Sequence, residues 1–281
     1  MRIRIAVAVV AVAATLIAAG VIGGTAMASP PTQQTPGVII SDVTIAVPGQ
    51  PPVPAYVVRP QNANRPHSLA GVLNLHWFEP GAPNQDRTEF LAEAVALAAR
   101  GTVSVLPQLR FPWQGDPIGD SHDRTAVTDQ FDAVRRAYQY LLAQPGVDAA
   151  RIAVVGHDYG AMYGAMLAQR EVRVQTLVFM AGDATWANWF DTYWLDLPED
   201  QKAAYRAVFH GLDPVDNVSR LGARVFFQWG DRDGFITPDV RAAFASANPA
   251  AKATLYTRAD HVLTQQAKDD RIAWLVAQLH L

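Results

Sequence analysis

Residues 151 to 167 of the chain read RIAVVGHDYGAMYGAML. The apolar run 151–155 is typical of a buried strand, and segment 161–167 has the small and apolar residues of a packed helix. Between them, two glycines flank Asp158 at positions 156 and 160. Glycine permits a tight turn and close packing of strand against helix. The sequence therefore predicts a sharp strand–turn–helix that presents the side chain of Asp158 at its tip.

The rest of the chain predicts a mainly parallel, twisted sheet flanked by helices. Apolar runs predict strands at residues 41–47, 53–59, 70–76, 102–107, 151–155, 176–180, 224–229 and 253–256. Helical periodicity predicts helices at residues 86–100, 124–142 and 270–279. The first two strands form an antiparallel pair across the proline-rich turn 48–52, and the alternation after them implies parallel βαβ units. Sites in such sheets lie at the carboxyl ends of the strands.

Two polar loops follow the last two predicted strands. GDRDG occupies residues 230–234 and TRADH occupies residues 257–261. A nucleophile, an acid and a histidine then appear in the chain order that a nucleophile elbow requires. We assign Asp158 as the nucleophile, Asp233 as the orienting acid and His261 as the base. Asp231 and Asp260 remain alternatives to Asp233.

Stabilising an oxyanion beside this elbow needs two backbone N–H groups. One is expected from Tyr159, which follows the nucleophile, and the other from loop 76–81 after the third strand. Within that loop we assign Trp77 as the donor. His76 is expected to order the loop through a hydrogen bond, and it is also a candidate for lining the pocket.

With these motifs the chain resembles the dienelactone hydrolase branch of the α/β-hydrolase superfamily. The resemblance rests on QPGVDAARI at residues 144–152, on the elbow, on the GDRD loop and on the final ADH, and it spans residues 40–281. It implies an α/β-hydrolase fold and hydrolase activity. Dienelactone hydrolases use cysteine as the nucleophile and their esterase relatives use serine. The aspartate at position 158 instead resembles the nucleophile of haloalkane dehalogenases and epoxide hydrolases.

The chemistry of a carboxylate nucleophile separates two kinds of substrate. Attack by Asp158 on an acyl ester gives a mixed anhydride, which is an unfavourable intermediate. Attack on an sp³ carbon that bears a halide or an epoxide oxygen gives an ordinary ester, which a water activated by His261 can hydrolyse. The nucleophile favours carbon–halogen or epoxide cleavage, whereas the resemblance favours ester or lactone cleavage. Both remain open, and Asp158 must be ionised to attack.

A short aromatic-rich lid is expected from the insert at residues 183–218. Trp186, Trp189 and Tyr193 in this insert can line an apolar pocket and donate to a leaving group. The alternative is that these rings only pack the lid onto the sheet.

A second hypothesis is a catalytically inactive hydrolase-fold protein that binds an apolar ligand. The presence of nucleophile, acid and histidine together argues against it. A metal site made from His76, His122, Asp158 and His261 has no recognisable ligand spacing. Neither a P-loop nor a dinucleotide-binding glycine motif occurs, so we expect no cofactor.

Composition limits the partners. The chain has 281 residues, of which 50% are hydrophobic and 17% charged, and its formal net charge is −3. One large domain accounts for this length, and the charge gives no reason to expect nucleic acid or an anionic membrane as a partner. There is no cysteine, which excludes disulfides and a thiol nucleophile. The expected partner is a small-molecule substrate, and the sequence does not indicate an oligomeric state.

The N-terminus has the pattern of a secretory signal peptide. Arg2 and Arg4 precede the apolar run 5–22, and AMA at residues 26–28 forms a cleavage site before Ser29. We expect cleavage after residue 28, a flexible leader at residues 29–39 and a secreted or extracytoplasmic hydrolase domain at residues 40–281. The alternative is an uncleaved N-terminal membrane anchor. The arginines are not adjacent, so the twin-arginine signal is absent.

Overall fold

The computed structural model describes residues 35–62, 65–78, 86–110 and 115–281. The signal peptide expected at residues 1–28, the first part of the leader and residues 79–81 of the oxyanion loop lie outside the described residues. The expectations for these segments therefore remain predictions.

An eight-stranded sheet forms the centre of the fold. Its strands are β1 (Val38–Ile45), β2 (Val53–Pro60), β3 (Leu69–Leu75), β4 (Thr102–Pro107), β5 (Val147–His157), β6 (Val174–Met180), β7 (Val225–Gly230) and β8 (Lys252–Tyr256). The spatial order is β1-β2-β4-β3-β5-β6-β7-β8. Strand β2 runs antiparallel to both β1 and β4, and all other neighbours are parallel. The predicted fold class, including the first antiparallel pair, is confirmed.

Helices cover both faces of the sheet. They are α1 (Leu91–Ala98), α2 (Ser121–Leu142), α3 (Tyr159–Arg170), α4 (Trp186–Phe190), α5 (Glu199–Val208), α6 (Pro214–Asn217), α7 (Pro238–Ala247) and α8 (Gln265–Leu279). Buried side chains of α2, α3 and α7 join one hydrophobic cluster, and those of α1 and α8 join the other. The sheet is thus shielded from water on both sides, as its nearly continuous apolar strands require.

The predicted helix at residues 86–100 is shorter and begins differently. A 3-10 turn at Asp86–Thr88 precedes α1, so Glu89 lies in the junction between the two and not inside a helix. Helix α2 starts three residues earlier than predicted, because the Asp120 side chain caps it by accepting from the backbone N–H of His122 at 2.7 Å. Helix α8 also starts earlier, at a cap formed by Thr264.

The insert between β6 and β7 forms the lid. It contains α4, the π-helical turn Asp191–Leu195, α5 and α6. The hydroxyl of Tyr205 in α5 donates to Asp123 of α2 at 2.5 Å, and this buried contact fixes the lid against the domain. Within the described ranges, no helix is both long enough and apolar enough to cross a membrane.

Candidate active site

The turn at Asp158 has the strained backbone of a nucleophile elbow. Asp158 lies between the end of β5 and the start of α3 with φ 54° and ψ −120°, a conformation that residues other than glycine rarely adopt. A Cβ at residue 160 would overlap the carbonyl oxygen of Leu75, and one at residue 156 would overlap the backbone of Gly160. Both glycines are therefore required by close packing. They hold the side chain of Asp158 at the carboxyl end of the sheet.

His261 and Asp233 form a hydrogen-bonded pair in the neighbouring loops. Nδ1 of His261 lies 3.0 Å from Oδ2 of Asp233, and the Asp233 side chain is fully buried. Burial alone would raise the pKa of Asp233. Two effects outweigh burial and lower that pKa below its usual value. One is the hydrogen bond and charge of His261, and the other is donation from the backbone N–H groups of Phe235 and Ile236. Asp233 is therefore ionised at neutral pH and suited to orient His261.

The two alternative acids have other contacts. Asp231 accepts from the backbone N–H of Ala259 at 3.1 Å, and Asp260 accepts from the backbone N–H of Val262 at 3.1 Å. The Asp231 contact joins the loop after β7 to the loop after β8, and the Asp260 contact is a local turn. The geometry thus favours Asp233 over either alternative.

The backbone donor that faces Asp158 differs from the one assigned from sequence. The N–H of Trp77 donates to Oε2 of Glu89 at 2.9 Å, so it is directed away from the nucleophile. The next N–H, that of Phe78, donates to Oδ2 of Asp158 at 3.4 Å. The assignment of Trp77 as oxyanion donor is therefore wrong by one residue. Tyr159, the other assigned donor, is the first residue of α3, where N–H groups have no acceptor within the helix.

Burial dominates the electrostatics of Asp158. The residue is 3% exposed, and its pKa is raised from 3.8 to about 7, with desolvation as the largest cause. The charge of His261 and the N–H of Phe78 oppose this rise, whereas the carboxylates of Glu89 and Asp233 add to it. Near neutral pH the carboxyl group is thus divided between its acid and its ionised form. The requirement for an ionised nucleophile is met by only part of the molecules at that pH.

His76 orders the oxyanion loop. Its Nδ1 lies 2.5 Å from the carbonyl oxygen of Trp77 and donates to it, while its Nε2 accepts from the N–H of Leu109 at 2.8 Å. Burial lowers the pKa of His76 to about 4, so the ring is neutral and cannot serve as a second cation. It also borders a small cavity beside Tyr159 of about 10 Å³, which is close to the space that one water needs.

Some aromatic side chains of the lid pack it against the domain, and others contact residues of the site. Trp186 is fully buried, and its indole N–H donates to the carbonyl oxygen of Leu212, so it packs the lid and offers no donor. Trp189 lies edge-on to Tyr159 with ring centroids 5.5 Å apart. The hydroxyl of Tyr193 donates to the carbonyl oxygen of Phe235 at 2.6 Å. For Trp186 the packing alternative is correct, whereas Trp189 is in contact with the residue beside the nucleophile.

Trp194, another aromatic residue of the insert that the sequence offers as a pocket residue and donor, donates its indole N–H to the hydroxyl of Tyr159 at 3.2 Å. Two site residues, Glu89 and His157, were not assigned from sequence. Glu89 contacts Nδ1 of His157 at 2.6 Å, and Nε2 of His157 contacts the carbonyl oxygen of His261 at 2.9 Å. The available signal was His157 itself, a polar residue placed at the buried end of an otherwise apolar strand.

Away from the elbow, the described part of the chain has a second cavity but no arrangement of ligands for a metal ion. Among residues 35–62, 65–78, 86–110 and 115–281, no group of three or more histidine, cysteine or acidic side chains is arranged to hold a metal ion. A larger cavity of about 480 Å³ lies beside the start of α2 and is bordered by Arg110, His122 and Gln130. None of the three triad candidates lines this cavity.

An eight-stranded, mainly parallel sheet with an elbow after β5, an acid after β7 and a histidine after β8 defines an α/β-hydrolase. The chain belongs to the prolyl oligopeptidase family, whose Peptidase_S9 model matches residues 88–279. No curated protein matches the chain.

Solved structures share the fold at low sequence identity. An acetyl xylan esterase from Paenibacillus sp. R4 is 16% identical with a TM-score of 0.69, covering 88% of this chain and 86% of that one. A putative dienelactone hydrolase from Klebsiella pneumoniae is 20% identical with a TM-score of 0.58, covering 86% and 98%. Oligopeptidase B from Leishmania major is 12% identical with a TM-score of 0.61, covering 87% of this chain and 37% of that one. The predicted resemblance to α/β-hydrolases and dienelactone hydrolases is confirmed for the fold.

Proposed function

We propose that the chain is a hydrolase that cleaves a carbon–halogen or epoxide bond of a small neutral substrate through an ester of Asp158. In the first step a carboxylate oxygen of Asp158 forms a bond to the sp³ carbon, and the halide or epoxide oxygen leaves with the electron pair. An epoxide oxygen takes up a proton from solvent as it leaves. In the second step His261 removes a proton from water, and the water oxygen attacks Cγ of the Asp158 ester.

The second step restores the enzyme. The bond between Cγ and the alkylated oxygen of Asp158 breaks, the alkoxide leaves with that oxygen and takes a proton from His261, and the product is an alcohol. The second proton of the water is released to solvent from the re-formed Asp158 carboxyl group. One oxygen of the Asp158 carboxylate then derives from water. Asp233 holds His261 in orientation and stabilises the imidazolium that forms between the two proton transfers.

The observation that carries the proposal is the unequal environment of the two carboxylate oxygens. Oδ2 of Asp158 accepts from the N–H of Phe78, whereas Oδ1 is buried and has no hydrogen-bond partner among the described residues. No hydrogen bond competes for the lone pairs of Oδ1, so this oxygen is the one that attacks a substrate admitted to the site. It also places Oδ2 where negative charge develops when water adds to the ester. The 3.4 Å contact is long for a hydrogen bond, and we expect it to shorten as that charge develops.

The same nucleophile argues against peptide or acyl-ester hydrolysis by covalent catalysis. Acyl transfer to Asp158 would produce a mixed anhydride, whereas alkyl transfer produces an ordinary ester. The family is named for an oligopeptidase, and two of the similar structures are named as an esterase and a dienelactone hydrolase. We therefore treat ester and lactone cleavage as the competing outcome of the experiment below.

The electrostatics of the site favour a neutral substrate. After burial, the negative charges of Glu89 and Asp233 contribute to the raised pKa of Asp158, and the positive charge that opposes them is that of His261. A substrate carboxylate would add a further negative charge at this position. The surrounding rings of Trp77, Phe235 and the lid favour an apolar group.

A second candidate function is the binding of an apolar ligand without catalysis. The 3% exposure of Asp158 favours this candidate, because attack on a substrate requires access to the nucleophile, whereas binding a ligand does not require access to this carboxyl group. The hydrogen-bonded pair of His261 and Asp233 favours catalysis, since binding an apolar ligand does not need that pair.

Trapping the intermediate distinguishes these functions. A His261→Gln variant is incubated with haloalkanes, epoxides and esters, and its intact mass is measured. The proposal predicts a stable alkyl adduct that maps to Asp158 and is absent from the His261→Gln, Asp158→Ala double variant. Ester turnover by the wild type that survives Asp158→Ala would overturn the nucleophile assignment. A wild type that neither turns over nor forms an adduct with any of these substrates would favour the binding protein.

Export of the protein remains part of the proposal. The signal sequence at residues 1–28 predicts that the N-terminal residue of the exported protein is Ser29. N-terminal sequencing of protein recovered outside the cytoplasm tests this cleavage.

A further inference from the structure

Glu89 makes two hydrogen bonds that join separate parts of the site. Its Oε1 lies 2.6 Å from Nδ1 of His157, and its Oε2 accepts from the backbone N–H of Trp77 at 2.9 Å. The His157 side chain is 1% exposed and that of Glu89 is 17% exposed. Both oxygens of one carboxylate are thus used at the buried edge of the elbow.

His157 extends this connection to the histidine loop. Its Nε2 lies 2.9 Å from the carbonyl oxygen of His261, and because a carbonyl only accepts, Nε2 carries the proton. The Trp77 indole stacks on the His157 ring with centroids 5.4 Å apart and planes 6° apart. The backbones at residues 77 and 261 are therefore both fixed to Glu89, one directly and one through His157.

Each fixed backbone position determines a neighbouring functional group. The N–H that faces Asp158 belongs to Phe78, one residue after the position that Glu89 holds. The imidazole that pairs with Asp233 belongs to the residue whose carbonyl His157 holds. Displacement of either by about 1 Å is enough to reduce a rate about 100-fold.

We infer that Glu89, acting directly on the Trp77 backbone and through His157 on the His261 backbone, is a positioning residue that sets the oxyanion donor and the base relative to Asp158. This inference rests on the proposed function of Asp158 and His261. Glu89 does not touch the reacting atoms in this mechanism. Its contribution is to the geometry of the two groups that do.

The hydrogen-bond roles provide a conservative variant. With Nε2 of His157 committed as a donor, Nδ1 can accept when the ring is neutral. In Glu89→Gln the amide oxygen can accept from the N–H of Trp77 while the amide nitrogen donates to Nδ1 of His157. In Glu89→Leu a side chain of similar size makes neither bond. The two variants therefore separate positioning from the mere filling of space.

Steady-state kinetics on a substrate identified by the trapping experiment give the first readout. We expect Glu89→Leu to lower kcat about 100-fold while KM changes less than about threefold, because the alkyl group still enters the same pocket. Glu89→Gln is expected to recover most of that loss. Wild-type kcat in folded Glu89→Leu protein would overturn the inference. Equal loss in both variants would also overturn it, because it would show that the charge of Glu89 matters and its hydrogen bonds do not.

A matched control comes from the next acidic residue of the same region. Glu93 is also buried, but its carboxylate pairs with Arg271 of α8. Glu93→Leu is expected to lower the free energy of unfolding without a comparable loss of kcat. If Glu93→Leu lowered kcat as strongly as Glu89→Leu, general destabilisation would explain both and the inference would fail.

A second readout does not depend on turnover. The proton between Nδ1 of His261 and Asp233 is followed by NMR as a downfield imidazole resonance, assigned through its loss in His261→Gln. We expect this resonance to persist in Glu89→Gln and to shift or disappear in Glu89→Leu. An unchanged resonance in folded Glu89→Leu would refute positioning of the base by Glu89. A wild type without adduct or product would refute the proposed function, and the resonance would still decide the positioning.

Discussion

Nδ1 of His261 lies 3.0 Å from Oδ2 of Asp233, and the Asp233 carboxylate has no exposed surface. Nδ1 carries the proton that is donated in this contact. The other ring nitrogen, Nε2, can therefore accept a proton from water. The chemistry proposed for the second step depends on this one tautomer.

Asp233→Asn is therefore expected to lower kcat about 10³- to 10⁴-fold, as an amide favours the wrong tautomer of its histidine partner. The measurement is kcat on a substrate found by trapping, with Asp260→Asn as the matched control. Asp260 accepts from the N–H of Val262 in an exposed turn, and an asparagine oxygen can accept in the same way. Comparable losses in both variants would show that Asp233 has no special role.

The ester mechanism predicts where an oxygen atom from water is found. After a single turnover in water labelled with heavy oxygen, we expect the label in Asp158, because water attacks Cγ of the enzyme ester. The label is measured by mass spectrometry on the tryptic peptide that covers residues 152–170. The alcohol product of that turnover should be unlabelled. A labelled product with an unlabelled peptide would indicate direct attack of water on the substrate.

Burial of Asp158 predicts a pH-dependent cost to folding. The pKa rises from 3.8 in the unfolded chain to about 7 in the folded protein, so the folded state binds the proton more tightly. Between these two values the unfolded state binds fewer protons, and stability falls as pH rises. Asp158→Asn should therefore gain stability over the wild type as pH rises from about 4 to 7, by on the order of 4 kcal/mol in total.

Denaturant unfolding of both proteins at pH values across this range measures the difference in stability. Groups that titrate equally in the two proteins cancel in the comparison. A difference that does not change with pH would show that the pKa of Asp158 is not raised by folding.

The packing of the elbow predicts a large effect of a single methyl group. In Gly160→Ala the new Cβ would overlap the carbonyl oxygen of Leu75, which belongs to a central strand and has little freedom to move. We expect a loss of at least about 3 kcal/mol in the free energy of unfolding. Gly234→Ala is the control, because nothing lies within 4 Å of a Cβ at that position. Similar stabilities for the two variants would contradict the packing argument.

The elements that sequence predicted well are those governed by local pattern. Strand β4 has the predicted bounds, and the elbow and the two later loops follow their strands as expected. Apolar runs flanked by glycine and aspartate carry this information within a few residues. The chain order of Asp158, Asp233 and His261 then added long-range information that no single motif contains.

What sequence could not predict depends on loop geometry and on contacts across the fold. Whether Trp77 or Phe78 faces the nucleophile depends on loop dihedral angles that composition does not reveal. Glu89 occurs where helical periodicity continues, and nothing local indicates that it reaches His157, which is 68 positions away. Helix α7 was also missed, since Thr237 and Pro238 form an N-terminal cap in a stretch of weak amphipathic pattern.

The steric crowding at Gly156 and Gly160 means that these two positions accept only glycine, whereas the residue between them at position 158 can be substituted. Its two ends are held by backbone contacts that admit no side chain, while residue 158 already has a side chain in the strained conformation. We therefore expect a substitution of Asp158 by serine to change the nucleophilic atom while the backbone of the turn stays the same. The two glycines preserve the structure of the turn, and the type of reaction can change during evolution through substitution of the single residue at position 158.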